Sequence, residues 1–420
     1  MKRRFVIPML IALLAGAGAR AQLLPQLPGA PLPRLPTDIL QQPLDRVENL
    51  TGHAAHVLER TRLQRITAFL HNNRATVAPD DRGFPAVRGE VVLMTPAADD
   101  LPRLTARGFA VIDDNIISGL GLRTVRLATP DGMALRKALK LARNIAGNRI
   151  SPNNIHFRSG EVRGRALADA AMAQDRGAAQ SVPIGMIDGG VAATPLIPAR
   201  VTLRGFASGA PAPDPHATAV ASLLIGDGKV HGADPGAHLF AADVYGRDPA
   251  GGGALAIARA LGWMIDNRVR VVTISLVGPK NALLGRAVAV AENKGLTIIA
   301  AVGNDGPAAP PAYPASYPGV LAITAVDARD RVLVEAGHAL HLDYAAPGAD
   351  MLAATPGDGT APVRGTSFAA PLVAGRLAVL MATGGDARDA LDREARDLGP
   401  KGPDTIYGRG LVCGDCATRP

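Results

Sequence analysis

The segment Gly365-Thr366-Ser367-Phe368-Ala369-Ala370-Pro371 opens an apolar stretch that continues to Leu380. A glycine-led turn before a buried helix puts Ser367 at the helix N-terminus, where free backbone N–H groups and the helix dipole favour negative charge. The pattern predicts Pro371 in the first turn of that helix. A nucleophilic serine beside half of an oxyanion hole suits this position. An ordinary capped helix suits it as well when the segment is considered alone.

Two further segments add an acid and a base. An apolar run ends at Asp188 and predicts a short buried strand that brings this carboxylate to its C-terminal end, before a glycine turn. Downstream, Asp214-Pro215-His216 precedes a run of small residues and predicts a histidine at the start of a helix. A strand-to-turn aspartate or a surface histidine explains either segment alone, so the three segments carry weight together.

In this order of Asp, His and Ser, residues 181–412 resemble the subtilisin family of serine proteases. Further segments share the family's turns and strands, at residues 232–239, 263–276, 297–306, 313–318 and 345–348. The resemblance implies an α/β fold, a three-layer subtilisin-like catalytic domain with a mostly parallel central sheet, preceded by a small α+β pro-domain. It also implies a secreted serine endopeptidase that hydrolyses peptide bonds through an acyl-enzyme and is made as a self-processing zymogen.

The chemistry requires one residue for each role. Ser367 is the predicted nucleophile, and His216 is the base that takes its proton. Asp188 fixes the imidazole tautomer and stabilises the imidazolium. The side-chain amide of Asn304 and the backbone N–H of Ser367 are the predicted donors to the oxyanion.

Substrate-binding residues follow from the resemblance alone. The family holds its peptide as an added strand between two segments, which correspond here to Ser275-Leu276-Val277 and to the run that includes Ala301 and Gly303. The family usually has glycine where this chain has Val277, which predicts a narrower pocket or a turn shifted by one residue. Because the expected lining is small and uncharged, we expect an apolar or aromatic side chain before the cut bond.

Other departures lie close to the predicted site. The chain has Gly189 where threonine is common after the aspartate, Ala217 where glycine follows the histidine, and Arg364 where serine is usual before Gly365. Alanine is tolerated in helices and glycine in turns, so we expect none of these to abolish activity.

The N-terminal region carries export signals. Basic residues, an apolar run and Ala19-Arg20-Ala21 predict a signal peptide at residues 1–21 and a secreted or periplasmic protein. The apolar run is too short to span a bilayer comfortably, so we expect no membrane association after signal removal. A proline-rich linker is predicted at residues 22–45.

The next region reads as a pro-region. Residues 46–150 alternate between helical and strand patterns, with helices predicted at 45–69, 99–106 and 133–142 and strands at 89–94, 109–113 and 122–127. Residues 151–180 are a predicted linker with the maturation site, which we expect between residues 144 and 182. The catalytic domain is predicted at 181–412 and a tail at 413–420.

Charge separates the two halves of the chain. The net charge of +8 combines a net +10 in residues 1–180 with −2 in residues 181–420. Only 3% of residues are aromatic and no block of basic residues stands out, so we expect no nucleic-acid partner. A basic pro-region that docks on a slightly acidic catalytic domain explains the asymmetry better. The expected partners are polypeptide substrates and the protein's own pro-region, and we expect a monomer.

Cofactors and cysteines leave questions open. The chemistry requires no cofactor, and no catalytic metal site is predicted. Members of the family often bind structural calcium, but no acidic run with loop spacing assigns such a site here. The only cysteines, Cys413 and Cys416, fit a small oxidised loop, free thiols or half of a metal site.

Two other functions remain as alternatives. One is a catalytically silent relative that acts as a peptide-binding protein, although all four catalytic positions hold competent residues. The other is a cofactor-binding α/β protein, but the turn after Asp188 lacks the Gly-x-Gly-x-x-Gly pattern that such proteins use.

Overall fold

The structure is a computed structural model that describes residues 47–162, 181–416 and 418. The predicted signal peptide (1–21) and proline-rich linker (22–45) lie outside these residues, as does the part of the predicted linker after residue 162. The domain boundaries proposed from the sequence therefore stay predictions. Within the described residues, none of the helices combines the length and the apolar content that a bilayer span requires.

The N-terminal part of the described chain is an α+β unit. Its elements are α1 (Val47–Asn72), β1 (Val77–Pro79), β2 (Pro85–Val87), β3 (Glu90–Met94), α2 (Asp100–Thr105), β4 (Ala110–Ile117), β5 (Leu122–Ala128), α3 (Leu135–Ala146), a 3-10 turn (Gly147–Arg149) and β6 (Ile150–Ser151). Four of the strands form one antiparallel sheet in the order β4-β5-β3-β6. The helix and strand patterns predicted for this region are confirmed, with bounds that shift by up to four residues.

The sheet of this unit has two buried faces. On β3, Val91 and Leu93 pack against the helices of the unit itself. The alternating residues Val92 and Met94 point the other way, into the core of the larger part of the chain. The basic pro-region predicted from the charge pattern is thus joined to the rest of the protein by apolar packing as well.

Two short strands lead out of this unit, and the remaining elements form the larger part of the chain. They are β7 (Phe157–Arg158), β8 (Glu161–Val162), β9 (Ile184–Asp188), β10 (Val201–Gly205), α4 (Pro215–Ile225), β11 (Leu239–Asp243), α5 (Ala254–Asp266), β12 (Val271–Ile274), β13 (Leu276–Val277), α6 (Ala282–Asn293), β14 (Thr297–Ala301), β15 (Leu321–Val326), β16 (Tyr344–Pro347), β17 (Met351–Ala354), β18 (Thr360–Arg364), α7 (Thr366–Ala382) and α8 (Ala387–Glu394).

A seven-stranded parallel sheet forms the centre, in the order β10-β11-β9-β12-β14-β15-β16. Apart from the half-exposed edge strand β10, its strands are almost entirely buried and mostly apolar because helices cover both faces. One face packs against α4 and α7 and the other against α5 and α6. The three-layer α/β arrangement predicted from the sequence is therefore confirmed, as is the small α+β unit before it.

The strand order reverses at β9. The connection after β9 leads to β10 and β11 on one side, and the chain then returns to β12 on the other. Crevices outside the carboxyl ends of strands at such a reversal are the usual ligand sites of open parallel sheets. Asp188 is the last residue of β9, so the topology brings its carboxylate to this position.

The α+β unit docks on α5 through a close backbone approach. The turn between β4 and β5 lies so near the helix that a β-carbon at Gly262 would come 2.1 Å from the carbonyl oxygen of Ser118. Only glycine permits this contact at position 262 of α5. At the end of this unit, β6 lies next to the start of α6, where Oγ of Ser151 donates a hydrogen bond to Oδ1 of Asn281 at 3.1 Å.

Candidate active site

Asp188 and His216 meet at the reversal of the sheet. Asp188 ends β9, and His216 lies in the first turn of α4, where Asp214 caps the helix by accepting a hydrogen bond from the N–H of Ala217 at 3.0 Å. Nδ1 of His216 lies 3.1 Å from Oδ1 and 3.0 Å from Oδ2 of Asp188. The carboxylate is fully buried, so it holds one ring nitrogen and leaves Nε2 for other chemistry.

Ser367 lies at the N-terminus of α7. The helix starts at Thr366 after Gly365, whose φ of 140° favours glycine. The position predicted for Pro371 is wrong, because this residue lies inside the helix rather than in its first turn. Proline cannot donate to the carbonyl of Ser367 four residues earlier. The Oγ of Ser275 donates to that carbonyl instead, at 2.9 Å.

Asn304 follows β14 and lies beside the same turn. Its Oδ1 accepts the backbone N–H of Thr366 at 3.0 Å, which fixes the orientation of the amide. A β-carbon at Gly365 would lie 2.6 Å from Nδ2 of Asn304 and 3.3 Å from the carbonyl oxygen of Ser159. The amide nitrogen and this carbonyl therefore lie on the same side of Gly365, and the absence of a side chain at Gly365 keeps the space between them open.

A segment of the chain itself occupies the cleft. Phe157 and Arg158 in β7 pair antiparallel with Val277 and Leu276 in β13, and β8 pairs with β18 on the far side of Ser367. Between these strands, Ser159 donates its N–H to the carbonyl of Ser275 at 3.2 Å. The N–H of Ser367 donates to the carbonyl of Ser159 at 3.0 Å. We call residues 155–162 the cleft segment.

The cleft segment tests the expected walls of the groove. Leu276 and Val277 pair with Arg158 and Phe157 of the segment, and the carbonyl of Ser275 accepts the N–H of Ser159. The second strand next to the segment is not the run that contains Ala301 and Gly303, because Ile155 and His156 pair instead with Gly253 and Gly252.

Ala301 and Gly303 lie elsewhere in the site. Ala301 is buried at the end of β14. Gly303 donates its N–H to Oγ1 of Thr366, and a β-carbon on Gly303 would lie 3.0 Å from Cγ1 of Val277. The side chain of Val277, at the position where the family usually has glycine, therefore lies in front of Gly303.

The hydroxyl of Ser367 hydrogen-bonds within the cleft segment rather than to the histidine. Its Oγ lies 2.9 Å from Oγ of Ser159. Among the described residues, Nε2 of His216 has no hydrogen-bond partner. The imidazole of His216 nevertheless lies close to the start of α7, because its ring centroid is 5.3 Å from that of Phe368, the residue after Ser367. The structure thus joins Asp188 to His216 directly and leaves the contact from His216 to Ser367 unmade.

Arg158 of the cleft segment is bound next to this pair of residues. Its Nη2 lies 2.7 Å from Oδ2 of Asp214, and its Nε lies 3.8 Å from Oδ1 of Asp188. The guanidinium carbon is 3.9 Å from the ring centroid of Tyr245. The hydroxyl of Tyr245 donates to the carbonyl of His156 at 2.9 Å, and burial raises the pKa of Tyr245 well above its usual value, which keeps this donor protonated.

Carboxylates and imidazoles are also the side chains that bind metal ions. Asp188, Asp214 and His216 offer ligand atoms within 4.8 Å of one another. The guanidinium of Arg158 already lies against Asp214, however, and a cation at this position would meet its positive charge. The arrangement is therefore better suited to proton transfer than to metal binding.

Comparisons with known proteins agree with this geometry. The profile of the subtilase family matches residues 207–410, which include His216, Asn304 and Ser367. Subtilisin BL of Lederbergia lenta is 33% identical over 273 residues, an alignment that covers 61% of this chain and 98% of that relative. The chain belongs to the subtilase family. Subtilisin Savinase of the same organism is 32% identical over 272 residues, with 61% and 98% covered.

Among solved structures, this subtilase is similar to fervidolysin of Fervidobacterium pennivorans, described as a keratinolytic enzyme related to subtilisin. The TM-score is 0.64 at 20% identity, and the match covers 79% of this chain but only 61% of fervidolysin, less than two thirds. The likeness supports the subtilisin-like fold. The curated relatives identify this subtilase as a serine endopeptidase, as the sequence predicted.

Several residues of the site were not predicted from the sequence. Arg158, Ser159 and Gly160 lie in the predicted linker and carry no motif, although the expected maturation range includes them. Asp214 was recognised only as part of the segment that leads to His216. Arg364 was noted as a departure, and the structure explains it: its Nε and Nη2 bind the buried carboxylate of Glu335 at 2.6 and 2.9 Å.

Proposed function

We propose that this subtilase is a secreted or periplasmic endopeptidase made as a precursor that cuts its own Ser159–Gly160 bond. Ser367 acts as the nucleophile, His216 as the general base and acid, and Asp188 orients the imidazole. Asn304 donates its side-chain amide to the oxyanion together with the N–H of Ser367. Ser275, Leu276 and Val277 bind the substrate backbone along one wall of the groove, and Ala301 and Gly303 lie behind Val277 at the end of β14.

One observation carries this proposal. The carbonyl oxygen of Ser159 accepts the N–H of Ser367 at 3.0 Å while the N–H of Ser159 is bound by Ser275. A peptide held by both its N–H and its carbonyl, with its carbonyl oxygen on a helix N-terminal donor, has the pose of a substrate about to be attacked. A non-cleaved structural linker has no need of such a contact.

The reaction follows from these positions. Oγ of Ser367 leaves its hydrogen bond with Ser159, turns toward Nε2 of His216 and attacks the carbonyl carbon of Ser159, while the imidazole takes its proton. Such hydrogen bonds often form only as the reaction proceeds. The imidazolium then protonates the nitrogen of Gly160, the carbon–nitrogen bond breaks, and the new amine leaves. Water attacks the acyl-enzyme, gives its proton to His216, and releases the carboxylate of Ser159 and the free hydroxyl of Ser367.

The same contacts support a partnership with the pro-region. After cleavage, residues up to Ser159 still pair with β13 and dock through β3 and α5, so the pro-region blocks the groove until it is released. Other polypeptides then take its place. We further propose that the enzyme acts as a monomer, without a cofactor in the chemistry and without nucleic-acid or membrane partners; structural calcium is left unassigned.

The test is self-cleavage of the full chain. We expect wild type to react with a fluorophosphonate probe and to yield a fragment that begins Gly160-Glu161-Val162, by N-terminal sequencing and intact mass. The Ser367→Ala chain should stay intact and unlabelled, with a thermal unfolding midpoint near that of unprocessed wild type. Equal behaviour of the two chains would leave the catalytically silent alternative standing, and cleavage at another bond would refute the assignment of Ser159–Gly160.

A further inference from the structure

We propose that Gly189, Asp214 and Tyr245 form an arginine subsite, which selects polypeptides with arginine immediately before the residue whose carbonyl is attacked. The inference rests on the proposed function, since it concerns what the same cleft binds. It assigns a substrate class, arginine followed by a small residue at the cut bond. The apolar or aromatic preference expected from the sequence concerned only the residue directly before that bond, which is Ser159 here.

The charge of the subsite matches arginine. Asp214 forms a 2.7 Å ion pair with Arg158, and the fully buried Asp188 lies 3.8 Å from its Nε. Both carboxylates also serve other groups: Asp214 caps α4 and Asp188 binds His216. An arginine side chain placed here supplies positive charge that a neutral side chain cannot, so a neutral substrate leaves these two acids unbalanced.

The shape of the subsite favours a planar cation. The guanidinium stacks on the Tyr245 ring with its carbon 3.9 Å from the centroid, close enough for a cation–π contact. Tyr245 is 9% exposed and its hydroxyl is fixed on the carbonyl of His156. Lysine has no flat face to stack and no second nitrogen to direct at a carboxylate, so it binds less well in the same place.

The space for the guanidinium depends on Gly189. A β-carbon on this residue would lie 2.9 Å from Cβ of Asp214 and 3.2 Å from Nη2 of Arg158. The threonine that the family commonly carries at this position would therefore press on both partners of the ion pair. Glycine next to Asp188, which the sequence alone identified only as a departure, leaves the room that arginine occupies.

A double-mutant cycle on self-cleavage of the full chain tests the subsite. Arg158→Gln should slow cleavage about 10- to 100-fold, because a hydrogen bond to a charged group is lost. Asp214→Asn keeps an N-cap residue on α4 but removes the charge. In that background Arg158→Gln should change the rate less than about 3-fold. An equal effect of Arg158→Gln in both backgrounds, or none in either, would overturn the proposal.

Peptides cut in trans give a readout that folding of the variants does not affect. The self-processed wild-type enzyme is given the 155–163 peptide with arginine, lysine or citrulline at position 158. We expect kcat/KM to fall in that order, with citrulline about 10- to 100-fold below arginine. Equal rates for arginine and citrulline overturn the subsite while leaving the protease intact. A wild-type chain that neither labels with fluorophosphonate nor cleaves itself refutes the proposed function instead.

Tyr245 provides a matched pair of variants for the stacking contact. Tyr245→Phe keeps the ring and removes only the hydroxyl, so the preference for arginine over lysine should persist. Tyr245→Leu removes the ring, and the preference should fall by about 5-fold or more. If the ratio of kcat/KM for the arginine peptide to that for the lysine peptide is the same in Tyr245→Leu as in wild type, the ring plays no part in the selection.

Discussion

Ser367 donates its backbone N–H to the carbonyl oxygen of Ser159, 208 residues earlier in the chain, at 3.0 Å. This contact places an internal peptide bond at the N-terminus of α7, beside the Asp188–His216 pair. Both the proposed self-cleavage and the proposed arginine subsite depend on it, because it fixes which residue enters each part of the groove.

Asn304 tests the second oxyanion donor. We expect Asn304→Ala to slow self-cleavage about 10²- to 10³-fold, the usual cost of one such donor. Asn304→Asp retains an oxygen for the N–H of Thr366 but lacks the amide donor, and should be at least as slow. Rates come from the loss of the intact chain on gels, with thermal unfolding as the control for folding. A change of less than about 3-fold in both variants would exclude the amide from the reaction.

Ser159 and Val277 test the size of the pocket before the cut bond. Ser159 is buried, and its hydroxyl contacts the carbonyl of Ser275 and the hydroxyl of Ser367, so a larger side chain must displace these contacts. Val277, two residues after Ser275, is expected to limit the space that such a side chain could enter. We expect Ser159→Phe to slow self-cleavage about 10-fold or more through overpacking, and Ser159→Ala to change it little.

Val277→Gly should restore cleavage of the Ser159→Phe chain, because it opens the space in front of Gly303. The double variant is compared with Val277→Gly alone. If phenylalanine at position 159 is cleaved as fast as serine in the wild-type background, the pocket is not restricted by Val277.

We expect His156 to make docking of the cleft segment sensitive to acid. The side chain is fully buried, and burial lowers its pKa from 6.5 to about 4, despite hydrogen bonds to the backbone of Asn154 and Gly252 that act in the opposite direction. A histidine with a lowered pKa in the folded state stabilises the docked segment above the unfolded pKa, and this stabilisation is lost as pH falls from about 6.5 toward 4.

The measurement uses the Ser367→Ala precursor, which is not expected to cleave itself. Its thermal unfolding midpoint should fall between about pH 7.5 and about pH 5, and the His156→Gln version should fall less over the same range. Equal decreases in both proteins would show that other groups cause the acid sensitivity.

Gly262 tests the docking of the α+β unit on α5. In Gly262→Ala, the new β-carbon would lie 2.1 Å from the carbonyl oxygen of Ser118 and 2.8 Å from Cγ2 of Ile117, so the two parts must move apart. We expect a lower unfolding midpoint for the precursor carrying Ser367→Ala. The processed enzyme should be unaffected or slightly more stable, since alanine is favoured over glycine in a helix by about 1 kcal/mol. An unchanged precursor would contradict the close approach.

Local patterns predicted much of this architecture. Apolar residues spaced at the 3.6-residue period of a helix predicted α3. One face of this helix is buried, through Leu135, Ala138, Leu139 and Ala142. Continuous apolar runs marked the parallel strands because both faces of the sheet are covered. The segments around Asp188, His216, Asn304 and Ser367 were identifiable because each combines a reactive side chain with the turn or helix start that presents it.

Other features had no local signal. Cys413 and Cys416 were compatible with three states, and the structure joins them in a disulfide. Pro371 within α7 leaves the carbonyl of Ser367 without its helical donor, and the hydroxyl of Ser275 donates to that carbonyl instead. Ser275 is 92 residues away in the chain, so only the fold brings the two groups together. The pairing of Arg364 with Glu335 likewise depends on packing of the end of β18 against the turn that contains Glu335.

The sequence by itself determined the family, the layers and the reactive residues, because these depend on side-chain type and short-range periodicity. Tertiary structure alone decided that residues 155–162 fill the cleft, that Gly252 and Gly253 form its second edge, and that Arg158 pairs with Asp214. These contacts join residues far apart in the chain. Their free energy depends on distance and burial in the folded protein, which no local pattern of residues records.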